Sequence, residues 1–193
     1  MKHLLMTAAL VCGLPVSGIA QDVTLKMGHA ASSKHIFHEG MEIFAAKVDE
    51  KTEGRVKIEV YGDRQLGDDK ELLEGIQIGL IDAALVSSAT LPLVLGTAAF
   101  DALQLPFTVS SYEQMSDVLT SDLGDQLLAT LEEKSIKGVG FVEAGQRHFL
   151  TSGDAVASTS DFAGLKTRIV PIPLHKATWE GIGVNPIGMA YGE

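Results

Sequence analysis

Apolar and polar positions alternate with a period of two in two segments of the first part of the chain. Val23, Leu25 and Met27 alternate with polar or small residues, and residues 56–60 repeat the pattern. Side chains of a strand point alternately to opposite faces, so both segments are predicted strands. Residues 81–86 are almost continuously apolar, which is typical of a strand buried on both faces of a parallel sheet.

The segments between these predicted strands have helical periodicity. Phe37, Met41, Phe44 and Val48 recur every three or four residues, and Gly54 follows as a stop. The pattern predicts a first helix.

A second helix is predicted to begin after Asp68. Glu71 follows three residues later, the spacing of a capping box, and Gly79 lies past the end of the apolar pattern. Three strands alternating with two helices indicate βαβ units, and hence a doubly wound α/β layer.

The middle of the chain is less regular. Leucines within residues 123–131 have helical spacing, and residues 136–142 are predicted to form a fourth strand. Residues 154–160 are small and polar, so we expect them to cross between two lobes.

The last part of the chain predicts a strand that carries an arginine near its end. Residues 164–170 form this strand, Arg168 is the arginine, residues 174–182 are helix-like, and residues 183–186 resemble a turn. In open α/β sheets, ligands bind outside the carboxyl ends of the strands. An arginine there can hold a carboxylate through two parallel hydrogen bonds, although a solvated surface arginine is the more ordinary interpretation.

The N-terminus has the features of a secretory signal. Lys2 supplies a positive charge, residues 4–16 are apolar but too short to span a bilayer, and residues 18–20 form a small-x-small cleavage site. We expect residues 1–20 to be removed and the mature chain to begin at Gln21 in the bacterial periplasm. Cys12 is lost with the signal, so the mature chain is expected to contain no disulfide.

The formal net charge of −10 argues against nucleic acid and anionic membranes as partners. No apolar run after the signal approaches the length of a membrane span, so direct membrane insertion is not expected. A local group of arginines could still bind an anionic ligand.

Catalytic and cofactor motifs are missing from the sequence. No nucleophile elbow surrounds Ser87 or Ser88, and residues 138–140 and 181–183 complete neither a dinucleotide fingerprint nor a phosphate-binding loop. We therefore expect no enzyme activity and no cofactor.

Two further features have ordinary interpretations. His35, His38 and Glu39, with His29 upstream, could be imagined around a metal, but their spacing matches no zincin motif and solvated histidines are favoured. Trp179 shares a helical pattern with apolar neighbours, which favours core packing.

Several separated stretches together resemble one family, the periplasmic solute-binding proteins of tripartite ATP-independent periplasmic (TRAP) transporters of the dicarboxylate (DctP) type. The matching stretches, in chain order, are residues 28–29 with His35, 54–60, 65–75, 79–88, 105–107, 145–148, 164–168, 183–186 and 189–193.

The resemblance implies an α/β, two-lobed periplasmic binding protein (type II-like) that closes on a small organic acid and delivers it to the TRAP membrane permease subunits. It divides the mature chain into lobe 1, residues 21–145, and the start of lobe 2, residues 146–193. The family continues its last motif into a helix beyond Glu193. By this comparison lobe 1 is nearly complete, lobe 2 is truncated, and the chain is expected to be a C-terminally truncated fragment.

The resemblance also implies the ligand-binding residues. Arg168 corresponds to the carboxylate clamp and Arg147 to a second ligand-contacting arginine. Tyr191 corresponds to an aromatic that packs against the ligand. The remaining expected cleft residues are His29, Ser88 and, as the weakest candidate, Asp69.

One position departs from the family. Members often carry a polar residue three or four positions after the clamp arginine, where this chain has Pro171 and Ile172. A ligand hydrogen bond is therefore expected to be absent.

Two other functions stay open from the residues alone. A ligand-sensing periplasmic domain of a receptor could use the same lobes. An enzyme on an α/β scaffold has no nucleophile or metal constellation to support it.

Overall fold

The computed structural model of the protein describes residues 23–193. The predicted signal, residues 1–20, and the expected new N-terminus lie outside this part of the chain. Within it, no helix is both long enough and apolar enough to cross a bilayer.

A first sheet is built from the alternating and apolar segments at the start of the described chain. Its three parallel strands, in the order β2-β1-β3, are β1 (Val23–His29), β2 (Val56–Tyr61) and β3 (Ala83–Leu85). Val23 pairs with Val56 and Met27 pairs with Ala83, so β1 is the central strand. The predicted βαβ order is confirmed.

The crossover helices begin and end at the residues that the sequence marks. They are α1 (Ile36–Lys51) and α2 (Asp69–Gln77). The capping box at α2 is confirmed, because a side-chain oxygen of Glu71 accepts the N–H of Asp68 at 3.1 Å. Gly79 follows α2 with φ +72°, a left-handed conformation that suits glycine.

The core of the first unit lies beneath α2 and the helices that follow β3. These are α3 (Leu91–Leu95), a 3₁₀ helix (Ala98–Gln104), α4 (Tyr112–Leu119) and α5 (Asp122–Ala129). One apolar cluster joins α2, α3, the 3₁₀ helix and α5: Leu73, Leu91, Leu95, Phe100, Leu127 and Leu131. Burying each such side chain contributes about 1.5–3 kcal/mol, so this cluster holds these helices together.

Two strand predictions need correction. Residues 136–142 form no strand, because the described part of the chain provides no neighbouring strand for their backbone groups. β3 is shorter than predicted, and its residues are half-buried instead of buried on both faces. It lies at the edge of the described sheet, where one side has no partner strand.

A second sheet carries the arginine strand. It consists of β4 (Lys166–Ile169) and β5 (Asn185–Gly188), which are parallel and are connected by α6 (Pro173–Gly181). The predicted strand and helix are confirmed. The prediction of a turn at residues 183–186 is wrong in part, because β5 begins at Asn185, which donates its N–H to Leu165 O at 2.8 Å. The turn comprises Ile182 and Gly183, and Gly183 has φ +87°.

Candidate functional site

Arg168 lies on the exposed face of β4, next to the end of β5. Ile169 beside it is buried, as the alternation of a strand requires. Nε of Arg168 donates a hydrogen bond to Met189 O at 3.1 Å. This contact orients the guanidinium and leaves its two Nη groups for another acceptor, the pair of donors that suits a carboxylate.

Arg147 lies near Arg168 but comes from a different part of the chain. Its side chain is exposed, yet the surrounding protein removes part of its hydration. This loss of hydration lowers the pKa of Arg147 below its usual value, and the positive charge of Arg168 lowers it further.

The chain after Arg147 is anchored on α6 by aromatic packing. The ring of Phe149 lies 5.7 Å from that of Trp179 and packs edge-on against Phe162 at 5.0 Å between centroids. Trp179 is half-buried in this cluster, in agreement with the packing role predicted for it. The cluster holds the Arg147 segment against the second sheet unit.

His175 belongs to the same group of charges and was missed in the sequence. It lies in the first turn of α6 and is only 8% exposed. Burial lowers the pKa of His175, and the charges of Arg147 and Arg168 lower it further, while Asp101 opposes them. The sequence feature that could have identified His175 is its position as a polar residue in the first turn of the helix that directly follows the arginine strand.

Asp69 lies at the start of α2, in the first sheet unit. Its Oδ2 accepts hydrogen bonds from the N–H of Ser87 at 3.0 Å and from Thr90 Oγ1 at 3.3 Å. Burial raises the pKa of the Asp69 carboxyl, whereas the Ser87 hydrogen bond and the charge of Arg168 act in the opposite direction. Asp69 therefore fixes the turn after β3 and lies within electrostatic reach of Arg168.

Tyr191 lies in a turn after β5, and Ser88 lies in the turn after β3. Tyr191 is 59% exposed, and its neighbour Gly192 donates its N–H to Asp68 Oδ2 at 3.3 Å. Ser88 is half-buried, and its Oγ accepts a hydrogen bond from Gln104 at 3.0 Å. The turn at residues 189–193 thus touches the start of α2.

His29 is buried instead of exposed at the end of β1. Its ring is 2% exposed, and its Nε2 lies 2.9 Å from Nδ1 of His38. The nearby His35 has a local role, because its Nδ1 accepts the N–H of Phe37 at 3.2 Å and caps α1. Across residues 23–193 no group of three histidine or acidic side chains is placed to hold a metal ion.

The structure therefore brings only some of the predicted residues together. Arg168 interacts electrostatically with Asp69, Arg147 and His175, and Arg147 also acts on His175. No hydrogen bond in the described chain connects His29 or Ser88 with either arginine. The ligand-binding roles of all six predicted residues stay predictions.

Solved structures with the same fold are binding proteins of TRAP transporters. A TRAP periplasmic solute-binding protein from Polaromonas sp. JS666, bound to D-erythronate, superimposes with a TM-score of 0.83 at 27% identity, over 89% of this chain and 56% of that one. Another from Roseobacter denitrificans, with bound L-galactonate, gives a TM-score of 0.79 at 29% identity, over the same 89% and 56%.

The sequence agrees with this likeness. The C4-dicarboxylate-binding periplasmic protein DctP of Rhodobacter capsulatus is 31% identical over 185 residues, which are 96% of this chain and 55% of that protein. Residues 27–193 match the DctP family, bacterial extracellular solute-binding protein, family 7. The chain belongs to this family, and it spans about half the length of the curated relatives it matches.

Membership confirms the resemblance and the α/β periplasmic-binding-protein fold expected from the sequence. Members of the family are solute-binding proteins and not enzymes. The missing catalytic motifs agree with this finding.

Proposed function

We propose that the protein is the periplasmic solute-binding component of a TRAP transporter, which binds an organic acid through Arg168 and delivers it to the membrane permease. The observation that carries the proposal is that Arg147 and Arg168 lie within electrostatic reach of each other and that neither is in ion-pair contact with a carboxylate of the described chain. Neither arginine forms an ion pair within residues 23–193. Two neighbouring cations repel each other until an anion binds between them.

The ligands of the related structures support an organic acid. The Polaromonas protein is bound to D-erythronate and the Roseobacter protein to L-galactonate, and both ligands present a carboxylate and hydroxyl groups. Arg168 would hold the carboxylate and Arg147 would complete the anionic subsite. Tyr191 would cover the ligand from the turn that touches the other side of the cleft. Asp69 would act mainly by fixing the turn at Ser87.

We place the boundary between the lobes close to residue 145. The first sheet lies entirely before it and the second entirely after it, which supports two lobes. Closure would remove water from the cleft and strengthen the contacts to the carboxylate, so binding and closure would reinforce each other.

Isothermal titration of the purified protein with erythronate, galactonate, galacturonate and succinate tests the clamp. We expect at least one acid to bind, and Arg168→Ala to weaken it by roughly a hundred- to several-thousand-fold. This loss corresponds to the 3–5 kcal/mol typical of removing one partner of a buried ion pair.

Arg55→Ala is the matched control, since Arg55 is exposed and directly precedes the amino end of β2, whereas ligands of such sheets bind at the carboxyl ends of the strands. A loss of less than tenfold in Arg168→Ala would overturn the clamp.

Two further experiments test the export of the protein to the periplasm and the delivery of the acid to the permease. The mature protein in a periplasmic extract should begin at Gln21. Membrane vesicles that contain the permease should take up the bound acid only when the protein is added. Uptake without the protein would contradict the delivery role.

A further inference from the structure

His175 is a buried histidine without a hydrogen-bond partner in the described chain. It lies in the first turn of α6, a helix that begins three residues after the arginine strand ends. The residue is 8% exposed, and its ring forms no hydrogen bond with another described residue. Neither ring nitrogen is among the fully buried side-chain atoms that lack a partner, so solvent reaches both nitrogens. A mostly buried polar ring with free nitrogens calls for a physical explanation.

The first turn of α6 has further unfilled hydrogen-bond donors beside this ring. The N–H groups in the first turn of a helix have no acceptor within the helix. The N-cap residue of α6 is Ile172, which has no side-chain oxygen, and no side chain caps the turn. The positive end of the helix dipole lies here, so the position favours an anion and opposes a proton on the His175 ring.

Three charged side chains act on His175, and two of them are cations. Arg168 belongs to β4 and Arg147 to the chain before it, whereas Asp101 belongs to the 3₁₀ helix of the first sheet unit. Burial lowers the pKa of His175 below its usual 6.5, and the two arginines lower it further, while Asp101 opposes them. The empty site therefore keeps the imidazole neutral at pH 7.

The other charges on the elements around α6 are engaged elsewhere. Lys176 and Glu180 lie on the exposed side of the same helix and form an ion pair with each other at 3.8 Å. β5, which packs on α6, carries no charged residue. The cations that hold His175 in its neutral form are thus the two arginines of the proposed binding site.

An organic acid bound in this site would reverse the balance of charges. A carboxylate on Arg168 cancels positive charge that opposes a proton on His175, and it places a negative charge in the same site. A protonated imidazole also has two N–H donors, whereas the neutral ring has one. The acid and the proton therefore stabilise each other, and by linkage each raises the affinity of the protein for the other.

We propose that His175 is a third cationic residue of the arginine site, which is neutral while the site is empty and takes up a proton when an organic acid binds. The acid itself is held by Arg168, so the inference rests on the proposed function. Its consequence is that the protein binds its acid more tightly in mildly acidic surroundings than in alkaline ones.

Isothermal titration in buffers of different ionisation enthalpy measures the proton uptake. The ligand is whichever of erythronate, galactonate, galacturonate and succinate binds the wild type most tightly. At pH 6.5 the wild type should take up a fraction of a proton for each acid bound. Its association constant should rise by about threefold or more from pH 8 to pH 6. His175→Gln should show neither the uptake nor the rise.

His148→Gln is the matched control, because His148 is an exposed imidazole next to Arg147. This variant should keep both the proton uptake and the pH dependence. If they are lost in His148→Gln, or persist in His175→Gln, another group binds the proton and the proposal is wrong. Each variant is compared with itself across pH, so a change in affinity at one pH does not decide the result.

NMR of the wild type follows the His175 ring directly. The Cε1 proton of His175, assigned through the backbone resonances of the same residue, reports the pKa with and without the acid. The pKa should rise by about one unit or more when the acid is bound. An unchanged pKa would overturn the proposal, and this measurement needs no variant to fold.

Failure of the proposed function gives a different result. If Arg168→Ala binds the acid as tightly as the wild type does, the arginine clamp is wrong and the role of His175 fails with it. If binding requires Arg168 but no proton is taken up at His175, the clamp is retained and only the role of His175 is wrong.

Discussion

The Nε2 atom of His29 lies 2.9 Å from Nδ1 of His38, and the His29 ring is almost completely buried. One of these nitrogens must donate and the other accept, so the contact requires that at least one ring is neutral. Nδ1 of His29 has no hydrogen-bond partner in the described chain. Burial lowers the pKa of His29 below its usual 6.5, and the neighbouring His38 and His35 lower it further, while Asp63 opposes them.

The first prediction is that the folded state loses stability as the pH falls below neutral. A histidine with a lowered pKa binds fewer protons when folded than when unfolded, so its contribution is complete above pH 6.5 and decreases as the pH falls through that value toward the folded pKa. His175, whose pKa is also lowered, acts in the same direction. Urea unfolding at pH 7.5 and 5.5 should give the lower free energy of unfolding at pH 5.5.

The variant His29→Asn isolates this effect from the general response to acid. It should reduce the difference between the two pH values, even if it lowers stability at both. His148→Asn, at an exposed position, should leave the difference unchanged. Equal pH dependence in His29→Asn and the wild type would show that the buried pair is not the cause.

The second prediction concerns Asp69 and the turn after β3. Asp69→Ala leaves the N–H of Ser87 without its acceptor, which should cost about 1–3 kcal/mol of unfolding free energy. Asp69→Asn should cost less, because its amide oxygen can accept the same hydrogen bond. Urea denaturation measures both variants, with the exposed Asp49→Ala as the control. If Asp69→Ala leaves the free energy of unfolding unchanged, the turn does not depend on this carboxylate.

The third prediction compares two phenylalanines at opposite extremes of burial. Phe100 is 1% exposed within the apolar cluster, and Phe107 is fully exposed. Phe100→Ala should lower the free energy of unfolding by about 3–5 kcal/mol, whereas Phe107→Ala should change it by at most about 0.5 kcal/mol. Denaturant titration of the two variants should separate them clearly. Similar losses would argue against the described core.

The fourth prediction compares two glycines. A Cβ at Gly28 in β1 would lie 2.5 Å from Cδ2 of Leu72, so Gly28→Ala should destabilise the protein by about 1–3 kcal/mol through overpacking. Gly40 lies inside α1 with open space around it, and Gly40→Ala should stabilise the protein by about 0.5–1 kcal/mol. Thermal unfolding should therefore give shifts of opposite sign.

A double variant identifies the origin of the Gly28 effect. Leu72→Ala removes the obstructing methyl group, so Gly28→Ala should cost less in that background than in the wild type. Equal costs in the two backgrounds would exclude contact with Leu72 as the reason.

The local pattern of the sequence was sufficient for most of the helices and strands. The alternation around Val23 and the capping box at Asp68 and Glu71 predicted β1 and α2, because these signals depend on neighbouring residues. The predicted strand at residues 136–142 was wrong because a strand also needs a partner, which its own residues do not specify.

The candidate site divides in the same way. The sequence identified Arg168 as an arginine on a strand near the ligand-binding edge, and resemblance to a family added Arg147. It did not identify His175 as a neighbour of both arginines, nor the hydrogen bond between Gly192 and Asp68. Each of these arrangements joins segments that lie far apart in the chain.

The sequence by itself determined the α/β class, the family and the position of an arginine near the end of a strand. Periodicity and short motifs carry that information within a few residues of one another. Only the tertiary structure decided that His29 is buried against His38 and that the turn at residues 189–193 touches the start of α2. Burial and the distance between charges depend on how the two sheets and their loops pack, and no short stretch of sequence specifies that packing.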